Sequence, residues 1–203
     1  MNNHLHPHQK DELAELAVIA MRERGLASEF SRDALRQLDT IDGPSEEDGA
    51  GIVDLTGLPR RSTDNDDSRD LDQLSVSEVL KDGAVRILVA IADVDTLVEK
   101  ASPIDRHAQI NTTSVYTSAR IFPMLPEKLS TDLTSLNPHQ RRVATVTEMV
   151  IAPDGALTRS HIQRARVHNK AQLAYDAVSA WLTGDGPLPE AADRVPGLDQ
   201  QLR

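Results

Sequence analysis

Apolar residues recur at helical spacing in the first part of the chain. Over residues 10–24 they return every three or four positions, which predicts a helix that ends at Gly25. Ser31 is typical of a helix cap, so we expect a second, shorter helix after it. These helices predict a helical N-terminal segment over residues 1–41. Residues 42–51 are rich in Gly, Pro and acidic side chains and are predicted to form an acidic linker.

The pattern of apolar residues in the middle of the chain indicates strands. A short strand is predicted over residues 60–63. The aliphatic run 85–92 contains β-branched residues and predicts a strand buried in the centre of a sheet. Residues 143–151 alternate between two faces, and Asp154-Gly155 predicts a hairpin turn into a further strand over 156–167.

Helices are predicted on either side of the last two strands. Residues 103–110 indicate a short helix, and Asn169 is expected to cap another over 170–182. Tyr175 and Trp181 are predicted to pack in the core. The elements together favour an α+β fold (mixed α/β) with a largely antiparallel sheet and flanking helices.

Composition narrows the class of protein. The chain of 203 residues is 39% hydrophobic and 27% charged, as expected of a globular protein. It has no cysteine, which excludes a disulfide partner and thiolate metal sites. No apolar run reaches the length of a membrane span, and no signal peptide is visible. We therefore expect a cytoplasmic protein without a membrane partner.

A net charge of −10 is unusual for a protein that binds nucleic acid, because such binding normally relies on Lys and Arg. The charge is unevenly distributed, however. Residues 42–72 are strongly acidic, whereas residues 101–170 carry an excess of basic side chains. An acidic metal loop facing a basic surface is an arrangement expected of a nuclease cleft.

Five carboxylates fall within the nine residues from Asp64 to Asp72. Two carboxylates about 4 Å apart repel by roughly 4 kcal/mol at an effective dielectric constant near 20. This density indicates either a solvated acidic loop or a divalent-metal site for phosphate chemistry. Asp93 follows the strand over 85–92 and is expected to face this loop or to cap the next turn.

Seven short segments occur in the order found in one enzyme family. They are Asp54–Pro59, Asp64–Asp72, Val89–Val94, Thr113–Tyr116, Pro123–Ser130, Ser135–Pro138 and Lys170–Tyr175. Together they resemble the catalytic domain of the ribonuclease II (RNB) family of exoribonucleases. The resemblance implies an RNB-like catalytic domain over residues 52–203 that is incomplete at its C-terminus.

The resemblance also implies the chemistry of the acidic stretch. Asp64, Asp70 and Asp72 match the family's metal-associated aspartates and would hold Mg²⁺ or Mn²⁺. A fourth aspartate of the family is replaced by Gln73, which is uncharged and a weak ligand. These four residues are therefore the predicted catalytic residues.

Tyr116 matches a tyrosine that packs against a base near the 3′ end of RNA, and stacking of this kind contributes about 1–3 kcal/mol per base. Tyr116 and Arg120 are the predicted RNA-binding residues. The implied activity is metal-dependent 3′→5′ hydrolysis of single-stranded RNA to nucleoside 5′-monophosphates. The alternative is a degenerate or truncated RNB module that binds RNA or a protein partner without cleaving it.

Overall fold

A computed structural model describes residues 7–47, 49 and 51–203. The first six residues of the predicted helical segment and residues 48 and 50 of the predicted linker lie outside this description. In chain order the elements are α1 (Pro7–Glu23), α2 (Arg32–Asp39), β1 (Ile52–Asp54), β2 (Arg60–Asp64), β3 (Gln73–Val79), β4 (Val85–Ala92), a 3₁₀ turn (Val94–Thr96), α3 (Pro103–Asn111), β5 (Val115–Tyr116), β6 (Ile121–Phe122), a π-helical turn (Lys128–Leu133), β7 (Arg141–Ile151), β8 (Leu157–Ala174), α4 (Tyr175–Thr183), α5 (Glu190–Asp193) and α6 (Leu198–Gln201).

Contacts between residues divide the chain into two units. The first contains the described residues up to Asp42 together with Leu97–Leu129, and the second contains Gly43–Thr96 together with Ser130–Arg203. Among the described residues, none of the helices combines the length and the apolar character needed to cross a bilayer.

The first unit is built from α1, α2, α3 and the small β5–β6 hairpin. The buried side chain of Asn111 accepts a hydrogen bond from the backbone N–H of Ala27 (2.8 Å) and donates one to its carbonyl (2.9 Å). The rings of Phe30 and His107 pack with their centroids 4.0 Å apart. These contacts join α3 to the segment between α1 and α2. The helices predicted over 10–24, after Ser31 and over 103–110 are confirmed.

The second unit is organised by a ring of strand pairings. Antiparallel pairs join β2 to β3, β3 to β4, β4 to β7 and β7 to β8, and the long strand β8 then pairs in parallel with β2. Strand β1 adds a further parallel pair to β8. The predicted α+β class with a largely antiparallel sheet is confirmed. The Asp154-Gly155 turn is also confirmed, and Gly155 has the positive φ of 86° that such a turn uses.

The core of this unit lies on one face of the ring, where aliphatic side chains alternate with outward residues. Its fully buried members come from four strands and one loop: Leu74, Val76, Leu88, Ala90, Leu136, Ala144, Val146, Ala165 and Val167. A second cluster (Ala171, Leu173, Val178, Ala192 and Leu198) packs α4, α5 and α6 against the end of β8.

The predicted helix over 170–182 is wrong in its first five residues. Strand β8 continues to Ala174, and Asn169 lies inside the strand rather than at a helix cap. The reason is the parallel ladder with β2, which holds the backbone of residues 169–174 extended. Ala171 and Leu173, at alternate positions of this extended segment, are buried in the second cluster.

Strand β4 is central but is not buried on both faces. Leu88 and Ala90 point into the core, whereas Ile91 is 44% exposed. An antiparallel sheet with one solvated face gives this alternation, so the prediction of a buried central strand is confirmed for one face only. Strand β3 was not predicted, because its polar residues outnumber the inward-pointing Leu74 and Val76.

Arg60 is the largest fully buried side chain described, with 0% of its surface exposed. None of its three guanidinium nitrogens has a hydrogen-bond partner in the described part of the chain. Burial, followed by the nearby charge of Arg86, lowers the pKa of Arg60 to about 10. The charged form is therefore disfavoured here but persists near neutral pH.

Candidate active site

The acidic stretch lies where two parallel strands end together. Asp64 is the last residue of β2 and stands opposite Ala174, the last residue of β8. The chain then forms a loop and enters β3 at Gln73. The predicted site residues Asp64, Asp70, Asp72 and Gln73 are thus carried by two strand ends and the loop between them.

The end of this loop next to β3 is fixed by its one buried residue, Leu71. The Leu71 N–H donates to Ser135 Oγ at 3.0 Å, and the Leu71 carbonyl accepts from the Leu136 N–H at 2.7 Å. Because both backbone groups of Leu71 are held and its side chain points inward, the neighbouring side chains of Asp70 and Asp72 are directed outward and are exposed.

Asn169 connects this loop to the strand that carries Asp64. Its fully buried Nδ2 donates to the Leu136 carbonyl at 2.8 Å and to Ser62 Oγ at 3.2 Å. Its Oδ1 accepts from the Ala171 N–H at 3.2 Å, so the whole amide is satisfied. A continuous chain of buried hydrogen bonds therefore links the residues that flank Asp64 with those that flank Asp70 and Asp72.

The carboxylates influence one another. Partial burial raises the pKa of Asp64, and the charges of Asp72 and then Asp70 raise it further. The folded chain therefore holds a half-buried carboxylate whose charge is disfavoured by its neighbours, which is the electrostatic condition that a bound cation relieves.

The donor set suits a hard cation, since Asp64, Asp70, Asp72 and Gln73 offer only oxygen ligands of the kind Mg²⁺ prefers. Within the described ranges, however, no three His, Asp or Glu side chains are grouped closely enough to hold a metal ion. The chemistry of the residues fits such an ion, whereas their side chains do not form a complete shell. The metal role of these residues stays a prediction.

Two clefts open beside the acidic loop. One, of about 230 Å³, is lined by Asn65, Asp66, Asp67, Tyr175 and Asp176, together with Ala174. The other, of about 340 Å³, shares Asn65 and Asp66 and extends to Gln172 on β8. The loop thus faces open space that a ligand can enter.

Tyr175 is 57% exposed in the first cleft, so its predicted place in the core was wrong. It begins α4 directly after β8 ends, and this end of the sheet is the acidic one. Sequence reasoning missed Tyr175 because the helix was predicted to begin five residues too early.

Asp93 does not face the acidic loop and does not cap the next turn with its side chain. Its buried Oδ2 accepts a hydrogen bond from Arg164 Nε at 2.7 Å. The Thr96 hydroxyl bonds to the Asp93 backbone carbonyl instead. Asp93 is thus a structural partner of β8.

The two predicted RNA-binding residues belong to the first unit. Tyr116 is 66% exposed on β5. Arg120 forms an ion pair with Glu29 (2.7 Å), and its guanidinium lies 4.8 Å from the centre of the Phe122 ring. Their role in RNA binding stays a prediction.

Comparison with known proteins places the chain in a family. The RNB domain matches residues 52–203. The chain is 42% identical over 145 residues to Ribonuclease R from Escherichia coli K12, covering 71% of this chain and 18% of that protein. It is 37% identical over 183 residues to Ribonuclease R from Acidithiobacillus ferrooxidans (89% and 42%), and 36% identical over 159 residues to Exoribonuclease 2 from a Salmonella newport strain (77% and 24%).

Solved structures agree with this placement. Mycoplasma genitalium RNase R in complex with double-stranded RNA matches with a TM-score of 0.80 at 29% identity, covering 93% of this chain and 34% of that one. Yeast Ssd1, a pseudonuclease, shares the fold alone, with a TM-score of 0.59 at 13% identity. The chain spans less than half the length of the relatives named here. With the RNB domain matching three quarters of its residues, this chain belongs to the RNB family.

Proposed function

We propose that this chain carries the metal site of a 3′→5′ exoribonuclease that hydrolyses single-stranded RNA to nucleoside 5′-monophosphates. The observation that supports the proposal most is the placement of Asp64, Asp70 and Asp72 on strand ends and a loop held by buried hydrogen bonds. The curated relatives are named Ribonuclease R and Exoribonuclease 2, which favours RNA as the substrate.

Hydrolysis of a phosphodiester requires an activated water and neutralisation of the charge that develops on the phosphate, which bound Mg²⁺ supplies. Asp64, Asp70 and Asp72 would hold this ion. Ser135 and Asn169 act through the backbone, since their hydrogen bonds fix the separation between β2 and the loop. Neutralisation of the three carboxylates would also remove the repulsion that raises the pKa of Asp64.

The open clefts give the RNA a place beside these carboxylates. Tyr175 presents its exposed ring in the cleft that Asp66 and Asp67 line, where a base can stack on it. Tyr116 and Arg120 are proposed as further RNA contacts from the first unit, on the basis of the family resemblance.

Degradation of end-labelled RNA tests the proposal. The purified chain is incubated with short single-stranded oligoadenylate labelled at either end, with Mg²⁺ or with chelator. We expect 3′ label to appear at once as a mononucleotide, while 5′-labelled RNA shortens progressively. Chelator and Asp72→Asn should both abolish the reaction, whereas Asp82→Asn, at an exposed position in the turn between β3 and β4, should not. Absence of degradation, degradation that resists chelator, or release of the 5′ label first would contradict the proposal.

A non-catalytic RNA-binding module is the second candidate, and Gln73 favours it. This residue occupies the position of the family's fourth aspartate, is exposed, and adds no charge to the site. In that case the parent chain and Asp72→Asn would bind the oligoadenylate equally and neither would shorten it.

A further inference from the structure

Basic side chains occupy successive outward positions on strand β8. Inward residues from Ala165 to Leu173 are buried at every second position, so the residues between them share the opposite face. We call four of these outward residues the basic row: Arg164, Arg166, His168 and Lys170. At roughly 3.3 Å per residue the row is about 20 Å long, with one side chain about every 6.6 Å.

At the end of the row that carries His168 and Lys170, the neighbouring side chains are basic. Arg141 on β7 stands directly opposite His168. Burial lowers the pKa of His168, and Lys170, Arg141 and His139 lower it further by repulsion, while a hydrogen bond to the His139 backbone partly opposes them. The charged groups acting on His168 are thus all basic, in a chain whose net charge is −10.

At the end of the row that carries Arg164 and Arg166, acidic residues of the chain itself contact the arginines. The carboxylate of Glu47 lies 3.0 Å from Arg164 Nη2, and its backbone carbonyl accepts from Arg166 Nη2 at 2.6 Å. Asp93 pairs with Arg164. Hydrogen bonds from Thr56 are the main cause that lowers the pKa of Asp54, and the nearby charges of Arg141 and Arg166 add a smaller lowering. Acidic residues from three parts of the chain therefore already lie against this end of the row.

The acidic segment before β1 leaves a cleft open next to these arginines. Pro44, Ser45 and Glu46 face Arg141 and Arg166 across a space of about 350 Å³, which Arg142 also lines. The acidic segment therefore lies over one end of the row and does not fill it.

We propose that the basic row, with Arg141, binds the phosphate backbone of single-stranded RNA outside the acidic loop. Glu46 and Glu47 cover the Arg164 end of the row. Beyond Lys170, strand β8 continues for about 13 Å to Ala174, which stands opposite Asp64. RNA lying on the row would lead into the candidate active site. Arg166 and Lys170, with Arg141 on the neighbouring strand, place positive charges along an extended strand, which suits a polymer with one phosphate per unit and favours RNA over an acidic protein segment.

This proposal rests on the proposed function for the identity of the polymer, and binding without catalysis tests it separately. Fluorescence anisotropy measures the affinity for labelled oligoadenylate in chelator. Arg166→Gln combined with Lys170→Gln should weaken binding at least about tenfold. The slope of the logarithm of the binding constant against the logarithm of salt concentration should become shallower by about 1.4, or about 0.7 for each lost phosphate contact. Arg159→Gln combined with Lys81→Gln removes the same charge from exposed positions outside the row and should leave both close to the parent values.

Two single changes repeat the test with less risk to the fold. Lys170→Gln should weaken binding more than Lys81→Gln does, and Glu47→Gln should strengthen it by uncovering Arg164. Equal affinities for the row variants and their controls, no RNA binding by the parent, or equal or tighter binding of polyglutamate by the parent would each overturn the proposal.

Row variants that bind like their controls while the parent degrades RNA leave the proposed function intact. Loss of binding in row variants of a chain without nuclease activity leaves the row intact and removes the function.

Discussion

At the scale of single residues, Asp64 carries a charge that the fold disfavours. Its pKa is raised by burial, Asp72 and Asp70. An acid with a raised folded pKa contributes stability that is present at low pH and is lost as pH rises through that pKa. We therefore expect Asp64→Asn to raise the melting temperature near neutral pH in chelator. Asp67→Asn, at an exposed position of the same loop, is the control and should change it less. An equal or lower melting temperature for Asp64→Asn would show that repulsion does not act on this group.

Arg60 offers a second test of buried charge. Its guanidinium is fully buried, and none of its nitrogens has a partner in the described part of the chain. Replacement of buried ionic groups by apolar ones of similar size is often stabilising by about 1–4 kcal/mol. Arg60→Met should accordingly raise the free energy of unfolding measured in urea.

The neighbouring Arg61 is the matched control for that substitution. Its Nη1 donates to the Ser75 carbonyl at 3.3 Å, so Arg61→Met loses a hydrogen bond and should not stabilise the chain. A destabilised Arg60→Met would mean that the guanidinium has a partner that its surroundings do not reveal.

At the scale of elements, the acidic loop depends on its hydrogen bonds to the segment before β7. Ser135→Ala leaves the buried Leu71 N–H without its partner, which should cost about 1–3 kcal/mol of stability. Because Leu71 separates Asp70 from Asp72, we also expect the affinity for Mn²⁺ to fall, as measured by calorimetric titration.

Asn111→Ala separates this effect from simple loss of stability. Asn111 is buried and holds the backbone of Ala27 in the other unit. The Asn111→Ala variant should be destabilised by a similar amount without a change in its affinity for Mn²⁺. If both variants bind Mn²⁺ as the parent does, the hydrogen bonds to Leu71 do not position the carboxylates.

The elements also show where local pattern is sufficient. Strand β4 and the β7–β8 hairpin were predicted because an aliphatic run and an Asp-Gly turn are local signals. The end of β8 was not predicted, because Asn169 followed by Lys170 resembles the start of a helix. Pairing with β2, which is distant in sequence, keeps this end of the strand extended. The buried hydrogen bonds from Asn169 to Ser62 and Leu136 could not be predicted for the same reason, because the residues that they join are far apart in sequence.

At the scale of the whole molecule, two histidines predict how stability depends on pH. Burial is the largest cause lowering the pKa of His168 and of His107. A histidine in the unfolded chain titrates near about 6.5, so below that pH the unfolded state binds protons that the folded state resists. The free energy of unfolding should therefore fall as pH decreases through about 6.5 and below. Urea denaturation at several pH values measures this.

Replacement of both histidines checks the assignment. His107→Gln combined with His168→Gln should flatten the dependence in that range, whereas His161→Gln, at an exposed position of β8, should not. A slope unchanged in the double variant would assign the pH dependence to other groups. Asp64 acts in the opposite direction at lower pH, where its raised pKa favours the protonated folded state.

The central claim is that Asp64, Asp70 and Asp72 hold a divalent cation, and calorimetric titration of the whole chain with Mn²⁺ tests it most directly. The parent should bind the ion, and Asp72→Asn should weaken binding at least about tenfold, since even changes around metal ligands commonly cost that much. Asp67→Asn removes the same charge from the same loop and should bind Mn²⁺ nearly as the parent does. Equal affinities for Asp72→Asn and Asp67→Asn, or no binding by the parent, would contradict the account.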